Sequence, residues 1–176
     1  MFDKKDDNSN STTDVFRPAK GSAKVVIGHG VTINGEIKKA DEVQIDGEAD
    51  ITMKTDNVVI GHGVTISGEI KKADEVQIDG DADITMKTDN LVVGVTGQCK
   101  GNIETHNADV WGVFDGDIKA SGTLTIQEQG KVSGSIEYQN IQIKLGGKLN
   151  GDIKLSDKIQ PIKKDVKADN NISSNS

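Results

Sequence analysis

The sequence predicts an all-β protein: a single-domain, right-handed parallel β-helix (a solenoid) of about eight short rungs, with disordered N- and C-terminal tails. Three observations carry this. First, two 33-residue blocks, 25–57 and 58–90, follow one another and differ only at Asn34/Ser67 and Glu48/Asp81. A compact single core rarely accepts such a tandem insertion. A solenoid does, because each unit touches only its neighbours. Second, a shorter apolar period of 15 to 18 residues runs through both blocks and beyond them. Third, the composition is 34% hydrophobic and 3% aromatic, with 20 glycines and 2 prolines in 176 residues. So few large side chains do not readily fill a helical bundle or a doubly wound α/β core.

Each rung is read as a short alternating pair followed by a five-residue segment, apolar at both ends and small or apolar in the centre. In the first block the pairs Val25/Ile27 and Val43/Ile45 precede segments 33–37 and 49–53. In the second, Val58/Ile60 and Val76/Ile78 precede segments 66–70 and 82–86. Leu91/Val93, Ala108/Val110, Leu124/Ile126 and Ile141/Ile143 then precede 99–103, 114–118, 132–136 and 149–153. Strict period-2 alternation places one face of each strand inward. Glycine and Asx residues between the strands supply corners. Rungs stack at about 4.8 Å, so eight of them form a rod roughly 35–40 Å long. Left-handed hexapeptide helices use 18-residue coils with a strict i+6 ladder; the shorter coils here favour right-handed winding. Pro18 and Pro161 fall outside the repeat, where neither removes a ladder hydrogen bond.

The organisation that follows is a disordered tail over 1–23, a β-helix domain over 24–155 and a disordered tail over 156–176. The tails are rich in Asn, Ser, Asp and Lys. The net charge is −7. The repeat holds 13 lysines against 21 Asp and Glu, so the acidity belongs to the rod and not to the tails. The single arginine, Arg17, stands in a tail, which argues against nucleic-acid binding. No Gly-rich loop ends in Lys-Ser/Thr, so no nucleotide site is expected. There is no 18-residue apolar stretch and no apolar leader after Met1, and the one cysteine, Cys99, forms no internal disulfide. These features point to the cytoplasm.

The rungs ending in Gly-x-Ile carry a family resemblance: Gly35-Glu36-Ile37, Gly68-Glu69-Ile70, Gly101-Asn102-Ile103, Gly116-Asp117-Ile118, Gly134-Ser135-Ile136 and Gly151-Asp152-Ile153. The stretches Val43-Gln44-Ile45-Asp46-Gly47 and 124–134 add to it. Together they resemble the bactofilins, bacterial cytoskeletal proteins, over essentially the whole repeat. The resemblance implies a right-handed β-helix that assembles end to end into non-polar filaments without nucleotide. It implies a scaffold for cell-shape or cell-wall-remodelling proteins, touching the inner membrane through a short N-terminal segment. Here that segment is Met1, Phe2, Lys4 and Lys5, an apolar pair beside two lysines; Asp3, Asp6 and Asp7 weaken its attraction to anionic lipid. An ordinary disordered tail remains the alternative reading. The chain departs from the family by its extra tandem block, and by Ile51 and Ile84 where a glycine is common. Leu149 stands where the family often carries a phenylalanine at the C-terminal junction.

The ends of the rod are the candidate interaction sites. A β-helix terminates in open sheet edges with unpaired N–H and C=O groups, and neither tail offers an amphipathic helix as a cap. The C-terminal end is expected to use Leu145, Leu149, Ile153 and Leu155, and the N-terminal end Val25, Ile27, Val31 and Ile33. If each end pairs with its own kind, two interfaces alternate and a filament grows.

Other candidates fit plainer readings. His29 and His62 are two rungs apart, roughly 9–10 Å, too far to share one zinc. Cys99 aligns with Ile33 and Ile66 in the inward ladder and reads as a buried thiol. The clusters around Asp46, Glu48 and Asp50, and around Asp79, Asp81 and Asp83, match no calcium loop and read as solvated faces. Trp111 alternates outward from Val110; it either covers a rung surface or anchors a partner. The function expected is therefore a self-assembling structural polymer without cofactor, catalytic residue or metal. The alternatives are a trimeric hexapeptide-type β-helix enzyme, acyltransferase or carbonic-anhydrase-like, and a monomeric adaptor.

Overall fold

A computed structural model describes residues 23–156. It contains nine strands: β1 (Lys24–Ile27), β2 (Thr32–Ile45), β3 (Glu48–Ile60), β4 (Thr65–Ile78), β5 (Asp81–Val93), β6 (Gln98–Val110), β7 (Val113–Ile126), β8 (Lys131–Ile143) and β9 (Lys148–Leu155). No helix occurs among the described residues, so none is long and apolar enough to cross a membrane. Each strand pairs in parallel with the next, in the order β1 to β9. Parallel neighbours usually need a crossover of a dozen or more residues. Here two to four residues separate the strands, so the return path is the strand itself, bent around the coil. The result is a parallel β-solenoid of about eight coils.

Register confirms the inward ladders. Val25, Val43, Val58, Val76, Leu91, Ala108, Leu124 and Ile141 are successive partners. A second ladder runs from Ile27 through Ile45, Ile60 and Ile78 to Ile143. The first positions of the five-residue segments stack from Ile33 to Leu149, and the last positions from Ile37 to Ile153. Their interior members form one continuous buried core.

The structure redraws the rung in one respect. A five-residue segment is continuous with the pair that follows it, and the sharp turn lies between a pair and the next segment. The reason is local. Gly28-His29-Gly30, Asp46-Gly47 and Gly61-His62-Gly63 stand at those turns. The stretch Lys38-Lys39-Ala40 has no glycine and bends through a register shift between Lys38 and Ala40 instead. This bend carries a further inward ladder that alternation alone did not reveal: Ala40 pairs with Thr55, and Ala73, Thr88, Thr105 and Ala120 pair in turn. The three threonines are buried. Their hydroxyls donate to the carbonyls of Asn57, Asn90 and Asn107 at 3.4, 3.1 and 2.8 Å, which removes the cost of burying them.

The Gly-x-Ile signature has a steric origin. Gly116, Gly134 and Gly151 are register partners with φ of +144°, +119° and +131°. A Cβ at Gly134 would collide with the carbonyl oxygen of Gly116, and one at Gly151 with that of Gly134. Glycine there combines a left-handed backbone with close approach of successive coils. Ile51 and Ile84 do not share the positive φ and bury their side chains instead.

Candidate polymerisation surfaces at the ends of the solenoid

The N-terminal end differs from the interior chiefly in what covers it. The duplication makes this measurable, because each residue of the first rung has a copy two rungs further on. Val31 is 44% exposed and its copy Val64 is 3% exposed. Val25, Ile33 and Ile37 are partly buried; their copies Val58, Ile66 and Ile70 are fully buried. The N-terminal edge comprises β1 and the first half of β2, which among the described residues have no strand beneath them.

Ile27 is a correction to the predicted N-terminal surface. It is 1% exposed, so it lies beneath the end and not on it. It pairs with Ile45, and its Cγ2 lies close under the backbone of Gly47. The N-terminal apolar surface is therefore Val25, Val31, Ile33 and Ile37. Ile37 escaped the sequence reading, although its place at the end of segment 33–37 is the signal that marks it.

At the C-terminal end β9 pairs, among the described residues, only with β8. Ile153 is 47% exposed, whereas its partner Ile136 is fully buried. Leu155 is exposed, Leu149 is half-buried against the core, and Leu145 projects from the last turn at 96% exposure. Ile141 and Ile143 of β8 extend the same surface, since β9 ends before reaching them. Full burial of a Val, Ile or Leu side chain stabilises by about 1.5–3 kcal/mol over full exposure, and the residues at both ends forgo part of that. Open strand edges add unpaired backbone groups.

A polar tie fastens the C-terminal edge. Lys119 Nζ and Ser156 Oγ both donate to Glu137 Oε1, each at 3.0 Å, and Ser156 N donates to the carbonyl of Tyr138 at 2.7 Å. The hydrogen bonds from Lys119 and then Ser156 hold the Glu137 carboxyl below its usual range. At the opposite end Lys24 pairs with Glu42 at 2.9 Å, and the Ala23 amide donates to Asp41 at 2.7 Å.

The remaining candidates lie away from the ends. Trp111 is exposed on the turn between β6 and β7; Val113, which opens β7, and Val95, on the turn between β5 and β6, are exposed too. His29 and His62 occupy exposed turns. Cys99 is buried between its register partners Ala82 and Phe114. Among the described residues no group of three His, Cys, Asp or Glu is placed to hold a metal ion. Met1, Phe2, Lys4 and Lys5 lie outside the described residues.

No curated protein and no solved structure matches the chain. A family model for bactofilin, described as polymer-forming cytoskeletal, matches residues 58–154, from the first residue of the second block into β9. The match spans more than half of the chain and covers the glycine ladder Gly116, Gly134 and Gly151 and the C-terminal edge as far as Lys154. The chain belongs to the bactofilin family.

Proposed function

We propose that the chain is a structural polymer that assembles end to end, through both solenoid ends, into non-polar filaments that need no nucleotide. The observation that carries this is the contrast between copies: side chains fully buried inside the rod recur, less covered, at the N-terminal end of the described residues. A second chain supplies the missing neighbour. If like meets like at each junction, two interfaces alternate along the filament. The family description supports a polymer, and nothing in the reading calls for a catalytic residue, cofactor or metal.

The polymer scaffolds cell-shape or cell-wall-remodelling proteins at the inner face of the cytoplasmic membrane. Met1, Phe2, Lys4 and Lys5 would supply a weak lipid contact per chain, multiplied by the many copies in a filament. Trp111 is the side-chain anchor available on the flank for such a partner.

The test is negative-stain electron microscopy of the purified chain without nucleotide, beside Ile153→Arg. The variant would place an uncompensated charge in the C-terminal junction. Filaments in the parent and short particles in the variant are expected. Filaments of equal length in both would remove the C-terminal edge from the junction. Discrete trimers in the parent would favour an enzyme, and monomers an adaptor.

A further inference from the structure

The N-terminal interaction surface is encoded twice. Its exposed version is the underside of the first rung, Val25, Val31, Ile33 and Ile37. Its occluded version is Val58, Val64, Ile66 and Ile70, buried inside the rod. The copies are chemically identical where they stack, because the two differing positions, Asn34/Ser67 and Glu48/Asp81, are exposed on the outside. The interior version also shows what such a surface accepts: an edge of this same chain, with Ala49 on Ile66, Met53 on Ile70 and Val43 on Val58.

We infer that residues 25–57 are a length element: the block spaces the two ends of the subunit without contributing a surface that the second block does not also carry. The inference rests on the polymer reading, and the occupant of the surface is a second copy of this chain. Joining Lys24 directly to Val58 regenerates the whole end. Lys24 then stands where Asn57 stood, the register partner of Glu75, and so recovers the ion pair it makes with Glu42. Asp74 takes the place of Asp41, which accepts from the Ala23 amide. The family match beginning at Val58 agrees with this boundary.

Each block adds two rungs, so the filament rise per chain should change by about 10 Å for each block inserted or removed. Three chains are compared by electron microscopy: the parent, a chain with a third copy of 58–90 inserted after Asn90, and a chain lacking 25–57. The expected result is filaments from all three, with the rise longer by about 10 Å in the second and shorter by about 10 Å in the third. An exchange of roles supplies a second readout. In the parent, Ile70→Arg strikes a buried residue and destabilises the fold. In the shortened chain Ile70 becomes the end residue, and Ile70→Arg leaves a folded rod, checked by circular dichroism, that has lost its N-terminal junction.

The insertion variant retains every native residue, so it decides the matter if the shortened chain fails to fold. An unchanged rise in the insertion variant, or a folded insertion variant that forms no filaments while the parent does, overturns the inference and leaves the polymer reading intact. A parent that forms no filaments overturns both.

Discussion

Lys39 is the one non-glycine residue with positive φ among the described residues, at +61°, in the bend between Lys38 and Ala40. A left-handed backbone costs an L-residue about 1–2 kcal/mol, and its side chain is exposed, so nothing is lost by removing it. Lys39→Gly should raise stability by about 1 kcal/mol. The duplicated block supplies the control. Lys72 is the same residue in the same sequence context but without positive φ, so Lys72→Gly should lower stability by about 0.5–1 kcal/mol. Urea denaturation of the two variants checks both signs, and equal effects would contradict the assignment. Cys99 invites a second measurement. Burial first, and the Asp83 carboxylate second, push its thiol up to about 12 from an ordinary value of 9.0. A raised folded value means that its contribution to stability is intact below pH 9 and is lost as the pH climbs towards 12. A thiol reagent at pH 8 should leave the native chain unlabelled and label it after denaturation, because the thiolate is the reactive form. Rapid native labelling would show that the ladder opens at Cys99.

At the scale of the strand, stability comes from columns of side chains, and their weak points are where a column changes volume. The column beginning at Ile33 alternates Ile and Ala through the duplicated blocks, then passes through Cys99, Phe114 and Val132. Phe114 is fully buried and lies between Cys99 and Val132. Phe114→Ala should cost about 3–5 kcal/mol, because rigid coils above and below limit collapse of the cavity. Thermal denaturation checks it, and a loss under 1 kcal/mol would mean that the coils close over the gap. The same columns explain what the sequence disclosed. Inward residues of a strand recur at every second position, so Val43 and Ile45, or Ile66 and Ile70, are visible from local pattern alone. The bend is not. Thr55 and Thr88 continue the alternation of Met53 and Met86 but are polar and so give no apolar signal, and Ala40 falls three residues after Ile37, out of phase through the register shift that only the stacked coil defines. The same limit applies at the ends. Leu145, Ile153 and Leu155 stand out as the last apolar residues of the repeat. Ile27 stands out as a member of an alternating pair, yet it is buried, whereas the side chain of Val31, outside any pair or segment, is 44% exposed.

The whole molecule is an acidic rod with an uneven flank. The repeat carries 13 lysines against 21 Asp and Glu, and the described ion pairs sit on exposed side chains, where each contributes little. Lys38, Lys54 and Lys72 are register partners and form a basic row along one corner, while Asp56, Asp74 and Asp89 lie exposed just beyond the bend. End-to-end junctions are built from apolar side chains and strand edges, so they should tolerate salt. Side-to-side contact between filaments brings together long rods of equal net charge, which repel over the Debye length. That length falls from roughly 20 Å at 0.02 M salt to about 4 Å at 0.5 M. Single filaments should therefore dominate at low salt and gather into bundles as salt rises, with no change in their rise per chain. Sedimentation and electron microscopy across that range separate the two effects. Bundles that dissolve as salt rises would mean that the lysine row of one rod meets the aspartates of another, and that local complementarity outweighs net repulsion. Filaments that themselves fall apart in salt would place charge, not apolar stacking, at the ends.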